Sequence, residues 1–381
     1  MQQSRKKPPA RFLGPWRWAG LLVGGALLLF LLLPSPIDPV EWTPPTKPVP
    51  TGVLTPNADL RQAQFLAQGD LKGPEDVAVD AQGRLYTGTS DGKIHRLTLD
   101  QNGQMLRREV FVDTQGRPLG LVFERQGNLI VADAKRGLLS VSPQGEITTL
   151  TVAVDGVPFN FVDDLDIGPD GTIYFSEASS RFGGHNERYD WPYDLFEARP
   201  HGRLLAYSPQ TKTTRVLLKD LYFANGVTLS PRGDYVLVIE SFRYRIARYW
   251  LKGPKAGTSD YLATNLPGIP DGLMSDRQGT FWVSIDAPRV DFLDWLHARP
   301  WLKAQLVKLP QSIWFDGNNR KRYGLVLALD ETGAIVRSLH DPTGQVFMTS
   351  NVVPHDGYLY LGTLTGDYIG RYRLSKPKAD P

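Results

Sequence analysis

Gly73-Pro-Glu-Asp-Val-Ala-Val-Asp-Ala-Gln-Gly-Arg-Leu-Tyr-Thr-Gly-Thr-Ser-Asp-Gly92 is the stretch on which the fold turns. Val77 and Val79 alternate with small or polar residues and run into Asp80-Ala-Gln-Gly83, after which Leu85 and Tyr86 resume the alternation. That is strand, tight turn, strand. The pattern recurs at Leu119–Ala132, Asp163–Phe175, Asn225–Val238, Asp271–Val283 and Thr349–Leu361. The turn glycines Gly83, Gly127, Gly171, Gly233, Gly279 and Gly357 are spaced 44, 44, 62, 46 and 78 residues apart. Repeats of about 40–50 residues holding several short strands are the signature of propeller blades. The expectation is an all-β, six-bladed β-propeller over residues 52–376, with the two long intervals absorbed by loop insertions at 180–200 and 287–323.

The position eight residues before each turn glycine holds Glu75, Leu119, Asp163, Asn225, Asp271 and Thr349. In a propeller, equivalent positions of equivalent strands form a ring about the pseudo-symmetry axis. If this position opens the innermost strand, three carboxylates and an amide crowd one mouth of the central channel. Like charges that close oppose joint ionisation, so the ring calls for a cation. An all-oxygen set with no His or Cys suits a hard ion, calcium before magnesium. The alternative is that Asp and Asn serve here only as turn formers. Turn formers, however, cluster at the glycine rather than at one fixed phase upstream.

Composition sets the remaining bounds. The 381 residues include 37 Gly and 30 Pro, as a strand-and-turn protein requires, and no Cys, which excludes disulfides and thiolate chemistry. The formal charge of +3 is carried by the N-terminus. Arg5, Lys6, Lys7, Arg11 and Arg17 leave −2 for the remainder, so the folded part has no basic bias toward nucleic acid. Residues 1–33 read as a cytoplasmic tail and transmembrane signal anchor. Phe12 to Leu33 is apolar apart from Arg17, Trp16 and Trp18 suit an interface, and the basic residues come first. A cleaved signal peptide is the competing reading, but no small-x-small site follows. Residues 34–51, with seven prolines up to Pro50, read as a stiff spacer that lifts the propeller off the bilayer on the extracytoplasmic side. Part of Leu54–Asp70 is expected to close the ring by adding a strand to the last blade. In the second insertion, Phe292, Trp295, Trp301, Leu302 and Leu306 interleave with Arg299 and Lys303, suggesting a helical cap or an amphipathic lid facing lipid.

Phe223-Ala-Asn-Gly-Val227, Ile246-Ala-Arg-Tyr-Trp-Leu-Lys-Gly-Pro-Lys-Ala-Gly257, Leu266-Pro-Gly-Ile-Pro-Asp271 and Phe281-Trp-Val283 resemble the strictosidine synthase-like branch of the calcium-dependent six-bladed propellers. The wider group includes the paraoxonases and the gluconolactonase-type proteins. The likeness extends to Gly116-Arg-Pro-Leu-Gly120, Val131-Ala-Asp-Ala134 and His355-Asp-Gly357, and covers about residues 34–374. It implies a calcium-dependent arylesterase- or lactonase-like hydrolase acting on a small ester or lactone. The family's metal ligands fall on Glu75, Asn225 and Asp271, with a fourth on Asp163 where relatives usually carry Asn. Where relatives read Pro-Asp-Asn, this chain has Pro270-Asp271-Gly272. Asp271 or Asp163 would be nucleophile or general base. Leu119, Asp164, Thr349 and Ser350 would line the substrate pocket. Paraoxonases carry a His where this chain has Leu119, and Ser350 stands where strictosidine synthase has its catalytic Glu, so neither a His-assisted route nor amine–aldehyde condensation is expected. A calcium-stabilised binding scaffold is the rival reading.

Overall fold

The computed structural model describes residues 15–183, 190–315 and 322–374. The basic residues of the N-terminal tail, His185, parts of both insertions (184–189 and 316–321), residues 375–376 and the Arg17 side chain lie outside the described residues.

Six four-stranded antiparallel sheets form blades I to VI. Blade II is representative: Pro118–Phe123, Leu129–Asp133, Gly137–Val141 and Ile147–Thr151 follow one another outward. The innermost strands of the other blades are Ala78–Val79, Val162–Ile167, Ala224–Leu229, Gly268–Ser275 and Thr349–His355. Blade VI takes its outermost strand from the beginning of the propeller. Gln64–Leu66 pairs antiparallel with Ile369–Arg373, so the ring has no open seam. Side chains of facing sheets fill the gaps between blades. Phe175, Phe281, Val283, Ile285 and Leu327 are completely buried, each worth about 1.5–3 kcal/mol.

A bulge near the start of the innermost strand positions the ring residues. The register slips between Pro118 and Leu121, Val162 and Leu165, Ala224 and Val227, Pro270 and Leu273, and Thr349 and Val352. Each slip inserts one extra residue, which bends the strand and re-aims two side chains. The bulged pairs are Leu119-Gly120, Asp163-Asp164, Asn225-Gly226, Asp271-Gly272 and Ser350-Asn351. Glu75-Asp76 holds the same place in blade I. Where the second member is an aspartate, it ties neighbouring blades together. Asp76 Oδ2 accepts the Leu121 N–H of blade II at 2.7 Å, and Asp164 Oδ2 accepts the Val227 N–H of blade IV at 2.7 Å. The intervening glycines make room: a Cβ on Gly120 would lie 2.7 Å from Asp164 Oδ1, and one on Gly226 would lie 2.5 Å from Leu273 N.

Blade VI corrects the sequence register. His355 pairs with Tyr358 across the two-residue turn Asp356-Gly357, whose φ values of 47° and 75° are left-handed at both positions. The corresponding pairs in blades I, II, III and V flank five residues, as in Phe123 with Leu129, and the pair in blade IV flanks six. The turn glycine of blade VI therefore sits one residue nearer its bulge. A count of eight back from Gly357 lands on Thr349, while the ring position belongs to Ser350.

Helix α1, Pro15–Leu32, has 18 residues and is about 27 Å long, against roughly 30 Å for a bilayer core. Among the described residues no helix is long and apolar enough to cross a membrane. The proline-rich segment that follows is not a spacer. Ile37 is buried in the main core, Val40 N–H donates to Glu197 O at 3.0 Å, and Trp42 N–H donates to His297 O at 3.1 Å. Further along, Arg289 reaches Pro45 O at 2.6 Å and Asn265 reaches Thr46 O at 2.9 Å. Prolines hold the chain extended, and Ile37 and Trp42 give it two anchors, so it lies across the propeller as a strap. Beneath it sit α2 (Pro192–Glu197) from the first insertion and α3 (Asp291–His297) and α4 (Pro300–Leu306) from the second. The second insertion is a packed cap: Leu296, His297, Lys303 and Val307 are buried. Phe292, Trp295, Trp301 and Ile313 remain exposed.

Candidate functional site

The bulge residues open onto one cavity of about 150 Å³ at a mouth of the channel. Glu75, Leu119, Asp163, Asn225 and Asp271, from five different blades, all line it. Asp164, Thr349 and Ser350 do not. Asp164 is the second bulge residue and points into the channel toward blade IV. Thr349 is wholly buried one residue before the ring position, and Ser350 is turned aside by donating its hydroxyl to Glu75 O at 2.6 Å.

Three charged residues unforeseen from the sequence share the cavity: Arg117, Lys135 and Asp286. Arg117, on the approach to the innermost strand of blade II, donates to Glu75 Oε2 at 2.6 Å and to Gly73 O at 3.2 Å. Asp286 stands near the end of Phe281–Pro288, the second strand of blade V. The Asn225 amide donates to Asp271 Oδ1. Asp163 accepts no hydrogen bond from the described residues, and its carboxylate faces the cavity.

Electrostatics set this cluster apart. Burial raises the proton affinity of Glu75; Arg117 opposes the rise and Asp286 adds to it. Asp163 is pushed well above the ordinary carboxylate range by burial and then by Glu75. Asp271 is raised likewise by burial, then by Glu75, Asp286 and Asp163. Four acids face two cations, Arg117 and Lys135, an excess that protons or a further cation must balance. The donor chemistry fits a hard cation: carboxylate and amide oxygens only. Among the described residues, however, no three His, Cys, Asp or Glu side chains converge as a metal-binding group. Glu75 faces Arg117 and Asp271 faces the Asn225 amide.

One wall of the cavity is aromatic. Phe223 and Phe242 stack with centroids 4.4 Å apart, Phe161 meets Phe223 edge-on at 5.7 Å, and Trp191 lies 6.0 Å from Phe223. Phe223 has φ of 57°, an uncommon left-handed conformation for a bulky residue. Its carbonyl accepts the Ser241 N–H at 3.1 Å, which holds the strained turn two residues ahead of Asn225. Among the described residues no histidine lines the cavity. The carboxylates ending the second strands of blades II, III and IV serve the fold. Asp133 accepts the Arg117 N–H at 2.9 Å, Glu177 the Asn160 N–H at 2.9 Å and Glu240 the Tyr222 N–H at 3.0 Å.

Known proteins sharpen this picture. Residues 163–254 match the strictosidine synthase family and residues 52–97 match the strictosidine synthase-like N-terminal family. Adipocyte plasma membrane-associated protein of Salmo salar is 38% identical over 377 residues, covering 94% of this chain and 89% of that protein. The chain belongs to the strictosidine synthase-like family. A plant member, Strictosidine synthase-like 3 of Arabidopsis thaliana, is 33% identical over 339 residues, covering 83% of this chain and 86% of its own. Among solved structures, a gluconolactonase of Xanthomonas campestris superposes with a TM-score of 0.59 at 17% identity, covering 90% of this chain and 97% of that one. A calcium-binding regucalcin of Agrobacterium tumefaciens gives 0.54 at 14% identity, covering 81% and 90%. At such identities these two establish the six-bladed fold that this strictosidine synthase-like chain shares with them.

Proposed function

We propose that this strictosidine synthase-like protein is a membrane-anchored, calcium-dependent hydrolase of esters or lactones. The observation that carries the reading is that Glu75, Asp163, Asn225 and Asp271, from four separate blades, all line one cavity with an aromatic wall. Those four side chains would hold the ion, with the Asn225 amide turned so that its oxygen faces inward. When bound, calcium supplies a Lewis acid for the carbonyl and charge for the developing oxyanion. Arg117 holds Glu75 in place from below blade II. Asp163 is the carboxylate placed to take a proton from water or to attack directly, and Asp271 is oriented by Asn225. Overall, water's hydroxyl joins the acyl carbon, the acyl C–O bond breaks, and the departing oxygen takes the remaining proton. The phenyl rings form the side on which the acyl or alcohol portion rests. The gluconolactonase name of the Xanthomonas neighbour and the plasma-membrane name of the Salmo relative agree with this reading. Helix α1 would be the anchor, with the tail cytoplasmic and the propeller outside.

A non-catalytic scaffold is favoured by one observation: Glu75 is closed by Arg117, and no metal-binding triad converges among the described residues. Condensing chemistry has less support, because Ser350 is turned into a bond with Glu75 O. The deciding experiment uses the full chain in detergent, since the strap is integral to the fold. Phenyl acetate and a panel of lactones are assayed with calcium and with chelator. Chelator should abolish turnover, and Asp163→Asn and Asp271→Asn should each lower kcat at least 100-fold with melting retained. No turnover on any ester, with melting still raised by calcium, would establish the scaffold instead.

A further inference from the structure

The acid-lined cavity holds a reacting group and little else. Small-molecule sites typically occupy about 300–1,000 Å³, against about 150 Å³ here. A second cavity of about 770 Å³ adjoins it, and Leu195 and Ile269 line both. Its walls come from the strap side (Leu54), the first insertion (Phe196), the cap (Leu293, Leu306, Ile313) and blade V (Leu325). The polar side chains that reach it already have partners. Tyr323 Oη lies 2.7 Å from His340 Nδ1, Arg289 is held by Asp294 and Asn265 at 2.7 and 2.6 Å, and Tyr244 Oη donates to Asp294 Oδ1 at 3.2 Å. The remaining charge at its edge, Lys47, is paired with Asp291, so the chamber favours an apolar ligand. It is not a core defect, because protein interiors leave few voids larger than a water molecule.

The cap that walls the chamber also holds the apolar helix. Lys308 Nζ donates to Phe30 O at 3.2 Å and Leu31 O at 3.1 Å, fastening the last turn of α1 to the cap. From Leu32 to the buried Ile37 the chain can extend no more than about 18 Å. Phe292 and Ile313, 62% and 63% exposed, stand at the chamber's edge on the cap. An apolar phase around α1 would therefore meet the same cap whose residues wall the chamber.

We infer that the chamber binds the aliphatic chain of a lipophilic ester or lactone whose carbonyl lies among Glu75, Asp163, Asn225 and Asp271. This rests on the hydrolase reading but is testable apart from it. The full chain in phosphatidylcholine nanodiscs is photolabelled with dodecanoic acid bearing a terminal diazirine, and the labelled residues are mapped by mass spectrometry. Label is expected on Leu54, Leu293 and Ile313. Ile313→Asp, at an exposed site, should cut that labelling at least tenfold without changing melting, and Ala287→Phe, which fills the chamber, should do the same. In parallel, p-nitrophenyl esters from butyrate to decanoate should show KM falling by up to about fourfold per methylene, with Ile313→Asp flattening the series. Label confined to α1 and the outer cap, or undiminished in both variants, would overturn the inference as bilayer contact only. Chamber labelling with no ester turnover would sink the hydrolase and keep the chamber. Turnover indifferent to chain length, with no chamber label, would do the reverse.

Discussion

Arg117→Met is the sharpest perturbation of the cavity. The guanidinium and the Glu75 carboxylate are 11% and 12% exposed and 2.6 Å apart. Removing one partner of so enclosed a pair costs about 3–5 kcal/mol, since it strands the other charge. With an unfolding entropy near 2.1 cal/mol/K per residue and roughly 320 folded residues, that is a fall in Tm on the order of 5–7 °C. The loss should depend on pH. Burial already raises Glu75 above its unfolded value, and Arg117 is what restrains it. Without Arg117 the carboxyl rises further. A group raised in the folded state stabilises at low pH and loses that contribution as pH climbs through its folded pKa. Calcium-free Arg117→Met should therefore melt near the parent at pH 5 and well below it at pH 8. The guanidinium also competes with a cation for the same carboxylates. Its removal should tighten calcium binding about tenfold, adding on the order of 2 °C to the calcium-induced rise in Tm. Scanning calorimetry at two pH values, with and without calcium, reads all of this. An equal loss at pH 5 and pH 8 would mean that Arg117 packs rather than neutralises. An unchanged calcium response would remove it from the ion's competition.

Other outcomes follow from the strap and what lies beneath it. Asp194, in α2, is raised from 3.8 to about 7, chiefly by burial. Its contribution is present below pH 4 and lost as pH rises through about 7, so Asp194→Asn should gain up to about 4 kcal/mol over the parent at pH 9 and almost nothing at pH 4; a pH-independent difference would contradict this. Trp42 packs on His297, Tyr244 and Arg243 at 4.9, 5.6 and 4.2 Å. Trp42→Ala should cost about 2–4 kcal/mol and make residues 34–51 the first site of limited proteolysis, whereas an unchanged digestion pattern would mean the strap is held elsewhere.

The six-fold repeat and five of the ring positions were legible because turn glycines punctuate the sequence. Gly83, Gly127, Gly171, Gly233, Gly279 and Gly357 all carry positive φ, a requirement that sequence records openly. Thr349 was misplaced because a two-residue hairpin and a five-residue loop carry the same glycine signal. Arg117 and Asp286 were missed for a different reason. Arg117 lies just before a strand and Asp286 near the end of another, and their partnership with the ring exists only once blades are side by side. Asp164 looked like a second pocket acid because it stands beside Asp163. Its carboxylate instead accepts the Val227 N–H of blade IV. The strap was misread because seven prolines dominate the composition of residues 34–50, whereas two apolar side chains, Ile37 and Trp42, decide where the segment goes.

The seam of blade VI bears on biosynthesis. Gln64 and Arg371, joined by a side-chain hydrogen bond at 3.0 Å, are separated by 307 positions along the chain. A nascent polypeptide leaving the ribosome can complete blades I to V in turn, yet the clasp must wait until Ile369–Arg373 has emerged. Until then Gln64–Leu66 is an unpaired ribbon tethered close to α1, and the sixth sheet lacks its border. Emergence of that one strand, rather than collapse of any one sheet, would set when the ring closes.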